Sequence, residues 1–244
     1  MESGRAGGRA PEDIRVIKAT PGFQKAAEGS VLFSMGDTMV LCAATVEDRV
    51  PTFLRGTGKG WVTAEYSMLP RATDTRVARE ARTGKIQGRT HEISRLIGRA
   101  LRAVMDFEAL GERTITIDCD VLQADGGTRT ASVNGGWIAL SQACRKLVEL
   151  GQAARNPLLD HVVAVSVGIK EGIILTDLDY SEDSAAEVDM NVIMTGNGRL
   201  IEVQGTAERN PFSREQLDAM LSAAEKAGNK ILDIQRGWAR GNDP

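Results

Sequence analysis

The run from Thr114 to Leu150 constrains the fold more than any other stretch of the chain. Thr114-Ile115-Thr116-Ile117 is β-branched throughout and leads into Asp118-Cys119-Asp120-Val121-Leu122-Gln123-Ala124-Asp125. Such side chains are stiff at χ1 and suit a pleated strand. Gly126 and Gly127 then admit backbone conformations closed to other residues, and apolar positions recur at helical spacing from Ser132 to Leu150. The predicted order is strand, glycine turn, helix. Backbone N–H groups left free at a helix N-terminus attract anions, and Thr128 and Arg129 add a hydroxyl and a forked cation there. Gly127, Thr128 and Arg129 are therefore candidate oxyanion ligands, although the same letters also describe a bare tight turn. No Gly-Lys-Ser/Thr follows the glycines, which excludes the nucleotide P-loop, and the dinucleotide pattern Gly-x-Gly-x-x-Gly is absent after the strand.

Tight turns set the rest of the topology. Residues 31–46 read as two strands joined at Gly36-Asp37, residues 162–176 turn at Lys170-Glu171-Gly172, and residues 190–204 turn at Gly196-Asn197-Gly198. Residues 51–72 carry Pro51, Gly56, Gly58, Gly60 and Pro70 around Trp61–Tyr66, which predicts loops flanking one short strand. Gly56-Thr57-Gly58-Lys59-Gly60 lacks a hydroxyl after its lysine and is read as a turn. A helix is predicted from Thr90, with Ile93, Leu96, Ile97, Ala100, Leu101, Val104 and Met105 on one face and Gly111 as its stop. The capping-box form Ser213-Arg214-Glu215-Gln216 opens a closing amphipathic helix with Gly228 as a candidate break. Hairpins alternating with helices make an α/β fold of the α+β type with a mixed sheet, because tight turns join antiparallel strands. A chain of 244 residues can bury a full core, so residues 13–244 are read as one domain. Residues 1–12, rich in Gly and Arg and without the apolar region of a secretion signal, are read as a loose, flexible tail.

No stretch is long or apolar enough to cross a bilayer, so a soluble cytoplasmic protein without a membrane partner is expected. Cys42, Cys119 and Cys144 show no paired spacing and are read as small buried hydrophobes; with His91 and His161 the only histidines, a zinc site is not expected. A net charge of −3 argues at first against a polyanion partner. The distribution argues the other way. Arg71 to Arg102 holds nine Lys or Arg, Lys85 among them, against three acids, whereas Glu171 to Asp189 holds seven acids and no base. A basic band can hold a polyanion even on an acidic protein. Residues 71–89 lack apolar periodicity and read as a long mobile basic loop, either a solvated face or a nucleic-acid contact. Arg89 falls at the N-terminal end of the following helix, and His91 is read as a surface residue.

The acidic stretch lies between the last two hairpins, from Asp177 to Asn191. Carboxylates crowded at a strand end repel one another, and a divalent cation relieves that repulsion; oxygen ligands favour Mg2+ or Mn2+. A solvated acidic turn is the alternative. Asp183, in the turn, and Asp189, opening a strand, are the leading pair. An oxyanion site at Arg89, Gly127, Thr128 and Arg129, an acidic metal site and a basic band together describe phosphoryl transfer on a nucleic acid.

Five runs carry a resemblance. They are Gly60–Arg71 (GWVTAEYSMLPR), Gly88–Ile93 (GRTHEI), Asp118–Thr130 (DCDVLQADGGTRT), Glu182–Asn191 (EDSAAEVDMN) and Glu202–Glu208 (EVQGTAE). Together they resemble the ribonuclease PH family of phosphorolytic exoribonucleases over nearly the whole chain apart from the first dozen residues and the last few. The resemblance implies a ribonuclease PH-like βαβα fold and a tRNA nucleotidyltransferase activity. Such an enzyme trims tRNA precursors and other RNA 3′ ends, rRNA included, from 3′ to 5′; it uses inorganic phosphate, releases nucleoside diphosphates and can run backwards. It implies phosphate binding by Arg89, Gly127, Thr128 and Arg129, metal binding and acid catalysis by Asp183 and Asp189, and tRNA binding by Arg71, Arg76 and Arg79. It also implies Mg2+ or Mn2+ as cofactor and a homohexamer, a trimer of dimers. Two rival functions share the fold or the chemistry: a ring subunit that binds RNA without cleaving it, and a water-driven metal nuclease.

Overall fold

The computed structural model describes residues 5–84 and 86–239, and Lys85 of the basic band lies outside them. The turn at Gly36-Asp37 forms as predicted, joining strand β2 (Gly29–Met35) to β3 (Thr38–Glu47), with β1 (Ile17–Pro21) paired antiparallel to β2. β1 has no counterpart in the sequence reading, because its alternation of half-buried Ile17 and Ala19 with exposed Lys18 and Thr20 is short and runs straight into Pro21. Next come β4 (Trp61–Met68), the short helix α1 (Glu80–Thr83), α2 (Gly88–Arg102), α3 (Phe107–Leu110) and β5 (Thr114–Gln123). β5 pairs antiparallel with β3 and parallel with β4, which completes a five-stranded sheet in the order β1-β2-β3-β5-β4. The parallel pair requires a crossover, and α2 supplies it, packed on β4. The fold is thus a mixed sheet with packed helices, as read from the sequence.

The second half repeats the theme with α4 (Thr128–Glu149), β6 (Val162–Lys170), β7 (Ile173–Thr176), α5 (Tyr180–Ala185), β8 (Val188–Thr195), β9 (Leu200–Ala207) and α6 (Arg214–Ala239). Its sheet is antiparallel, in the order β7-β6-β8-β9. α4 lies between the two sheets, against β2 and β3 on one side and β6 on the other. It is buried along almost its whole length, as a helix covered on both sides must be. Asn134 on α4 bonds the peptide of Ala164 with both ends of its amide, Nδ2 to the carbonyl and Oδ1 from the N–H, each at 2.9 Å. β7 pairs only with residues 167–170 of β6, so Asn134 satisfies backbone groups that would otherwise be orphaned in the core. One continuous apolar core links both halves, and Cys42, Cys119 and Cys144 are buried in it as small hydrophobes.

Four readings are corrected. α4 begins at Thr128, four residues before the expected Ser132, so the glycine turn abuts the helix directly. The helix predicted from Thr90 to Gly111 divides into α2 and α3, and Asp106 caps α3 by accepting the N–H groups of Glu108 and Ala109. Gly228 does not break α6. Residues 5–12 are not a loose tail: Arg5 is buried and bonded to Glu182, and Arg9 reaches Asp179 and Glu182. Residues 1–4 of that expected tail lie outside the described residues.

Candidate functional site

β5 ends at Gln123, and the chain turns through Gly126 at φ 72° and Gly127 at φ 63° before α4 starts. Both angles lie in the left-handed region, where a Cβ is strained. At Gly126 there is no room for one either, since it would stand 2.6 Å from the carbonyl carbon of Asp179. The turn therefore lies directly on the backbone that leads into α5, the helix carrying Asp183. That contact brings the predicted anion turn and the predicted acidic bend together, although more than 50 residues separate them in sequence.

A cleft of about 560 Å³ opens where they meet. Arg89 from the first turn of α2, Gly127, Thr128 and Arg129 from the start of α4, Asp183 from α5 and Asp189 from β8 all line it. The N-terminal turns of α2 and α4 both open on this space, so two helix dipoles add positive potential to that of Arg89 and Arg129. Arg129 is oriented by Nη1, which donates to Gln204 Oε1 at 2.9 Å and to Glu92 Oε1 at 3.3 Å. Of the three arginines read as an RNA track, Arg79 lines the cleft. Arg71 and Arg76 are exposed beyond its lining, and Arg71 Nη1 donates to the Asp74 carbonyl. Apart from the single helical turn α1, residues 71–87 form no regular element among the described residues, in keeping with their lack of apolar periodicity. His91 is exposed on α2 and outside the cleft.

Both aspartates are raised, and Asp183 acts on Asp189. Burial and then the negative charge of Asp183 push Asp189 up from the ordinary 3.8 to about 6. Burial also raises Asp183, against the opposing charges of Arg89 and Arg129. A carboxyl poised near 6 in a cleft bordered by cations keeps, close to neutral pH, a protonated fraction that an ordinary carboxyl lacks, and can give that proton up to a reacting oxygen. No group of three or more His, Cys, Asp or Glu forms a metal cage among the described residues. Asp183 and Asp189 nevertheless fit a hard cation that takes one or two carboxylates and completes its shell with phosphate oxygens and water.

Several lining residues had no assigned role in the sequence reading. Tyr66 on β4 is buried with its hydroxyl 2.8 Å from Thr128 Oγ1, and burial raises its phenol. Ser166, Tyr180 and Asn191 also line the cleft. Asp183 sits in a helix where the sequence reading placed a turn. The available signal was Asp179-Tyr180-Ser181-Glu182, a capping box in which the Asp179 side chain accepts the Glu182 N–H and the Glu182 side chain accepts the Asp179 N–H.

A family model for domain 1 of the 3′ exoribonuclease family matches residues 13–146, and one for domain 2 matches residues 160–227. The chain belongs to this family. Among curated relatives it is similar to the family member "Ribonuclease PH" of Bacillus subtilis (strain 168), with 59% identity over 233 residues and 95% of each chain covered. "Ribonuclease PH" of Bacillus cereus (strain G9842) is 56% identical over 234 residues, again with 95% of each covered. Among solved structures the same fold recurs in a chain of the "archaeoglobus fulgidus exosome with RNA bound to the active site". That chain aligns at a TM-score of 0.81 and 20% identity, covering 96% of this chain and 93% of that one. Rice (Oryza sativa) Rrp46 aligns at 0.75 and 20% identity, over 96% of this chain and 100% of that one. At such identity these two likenesses speak for the fold.

Proposed function

We propose that the chain is a phosphate-dependent 3′-to-5′ exoribonuclease that shortens RNA 3′ ends, tRNA precursors first among them, and releases nucleoside diphosphates. The observation that carries this reading is the single cleft in which an arginine-flanked glycine turn faces Asp183 and Asp189. Inorganic phosphate is held by Arg89, by the amides at Gly127 and Thr128, and by Arg129, in line with the last phosphodiester. Holding both phosphates in one geometry supplies most of the rate, because phosphoryl transfer needs positioning and charge stabilisation more than covalent help. Asp189 carries the proton that the leaving 3′ oxygen takes, and its raised pKa supports that assignment. Asp183 and Asp189 would hold Mg2+ or Mn2+, which when bound neutralises charge on the reacting phosphates. Arg79 at the mouth, with Arg71 and Arg76 beyond it, continues the positive potential along which the RNA strand would approach. A cytoplasmic location is in keeping with tRNA precursors as substrate, and the resemblance to the ribonuclease PH family supports a homohexamer built as a trimer of dimers; no helix of the described residues is long and apolar enough to cross a membrane.

Chromatography of products from a tRNA precursor, with and without phosphate, tests this function. Nucleoside diphosphates that appear only when phosphate is present are expected. Nucleoside monophosphates formed without it would make the chain a hydrolytic nuclease, and bound but uncut RNA would make it a non-catalytic ring subunit.

A further inference from the structure

The glycine turn is gripped from behind by a group that never reaches the cleft. Arg15, 6% exposed, lies beneath the turn. Its backbone N–H and Nε donate to Asp177 Oδ2 at 2.7 and 3.0 Å, and Nη2 donates to Asp177 Oδ1 at 2.7 Å. Its remaining arm, Nη1, donates to the carbonyl of Asp125 in the turn. Thr38, fully buried, completes the grip: its hydroxyl donates to the Gly126 carbonyl at 2.6 Å and accepts the Asp125 N–H at 2.9 Å. From the other side, Asp125 Oδ1 accepts the N–H of Tyr180, the first residue of α5.

These bonds join two segments that face each other across the cleft. Asp177 precedes α5, with Asp183, while Asp125 and Gly126 precede α4, with Thr128 and Arg129. Asp177 itself takes φ 54°, an uncommon angle for a residue with a side chain, and its three bonds from Arg15 hold it there. The carbonyls of Asp125 and Gly126 are turned towards Arg15 and Thr38, away from the cleft that Gly127 and Thr128 line. A planar guanidinium can bind a carboxylate with two arms and a carbonyl with a third, which an ammonium cannot reproduce.

We propose that Arg15, with Thr38, is the positioning residue of the phosphate turn: it fixes the direction of the turn's amides and their separation from Asp183. The inference rests on the reading of this turn as the phosphate site. A loosened turn costs phosphate affinity and leaves the RNA track alone, so the effect falls on one substrate only. A displacement of about one ångström suffices for a loss on the order of 100-fold in a positioned reaction, so a rise of about tenfold or more in the phosphate KM is expected.

The test is steady-state kinetics on the full chain with phosphate and RNA varied separately, for Arg15→Lys, Thr38→Val, Thr38→Ser and Arg129→Ala. Arg15→Lys keeps the charge without the fork; Thr38→Val keeps the shape without the hydroxyl; Thr38→Ser restores the hydroxyl. The expected result is a raised phosphate KM in the first two, an RNA KM within about twofold of the parent, and recovery in Thr38→Ser. A purely structural role would lower the melting temperature and leave both KM values of the folded enzyme unchanged. If Arg129→Ala raises the phosphate KM while Thr38→Val and Arg15→Lys do not, the positioning role is wrong. Should Arg129→Ala itself leave the phosphate KM unchanged, the phosphate reading of the turn falls and this inference falls with it. Where Arg15→Lys does not fold, the Thr38→Val and Thr38→Ser pair decides.

Discussion

Replacing Arg5 by alanine tests how the acidic bend is held. Arg5 Nε and Nη2 donate to the two carboxylate oxygens of Glu182 at 2.7 and 2.9 Å. The rest of the fork donates to the carbonyls of Ala10, Pro11, Asp13, Thr176 and Asp177. Arg5 is 9% exposed and Glu182 3%. Removing one member of a buried pair leaves the other charge uncompensated, typically at about 3–5 kcal/mol. Arg9 remains 3.2 Å from Glu182, which places the expected loss near the lower end, about 3 kcal/mol. For a chain of this size that is a fall of about 6–12 °C in melting temperature. Burial works most strongly, pushing the Glu182 carboxyl up, but the hydrogen bonds from Arg5 and from the Asp179 N–H, together with the Arg5 charge, outweigh it and hold the group below its ordinary 4.5. The pairing therefore stabilises fully above that ordinary value and is lost as pH falls through the lowered one. Parent and Arg5→Ala should differ most at pH 7 and converge as the buffer is acidified through the lowered Glu182 value. The assay is thermal or urea unfolding over that range at one fixed protein concentration. A variant that melts within about 1 °C of the parent at pH 7 would refute the argument that this pair anchors α5.

Two further outcomes follow from the site. Gly126→Ala combines a φ of 72° with a Cβ 2.6 Å from the Asp179 backbone, so a loss of about 2 kcal/mol or more is expected in urea unfolding; an unchanged midpoint would show that the turn can move off α5. Asp189→Asn removes the proton donor while keeping its shape. Turnover should fall by at least about 100-fold with phosphate binding retained in calorimetry, and normal turnover would remove Asp189 from the mechanism.

The sequence by itself determined the pieces. Hairpin turns at Gly36-Asp37, Glu171-Gly172 and Gly196-Asn197-Gly198 and the helical faces of α2 and α6 are written in neighbouring residues, because turn dihedrals and 3.6-residue periodicity are short-range properties. The candidate ligands Arg89, Gly127, Thr128, Arg129, Asp183 and Asp189 were legible as residue types beside glycine or strand ends, and the five resembling runs added their grouping. Tertiary structure alone decided how the pieces meet. The parallel pairing of β4 with β5 depends on where α2 packs, and the all-round burial of α4 depends on two sheets closing over it. Asp177, Asp179 and Glu182 belong to an acidic run that reads either as a cation site or as a solvated turn, yet they are buried against Arg5, Arg9 and Arg15, which stand more than 160 residues earlier. A charge within a run carries no local mark of its distant partner. That partner is chosen by packing, because a buried carboxylate persists only where the fold delivers a cation and hydrogen-bond donors to it.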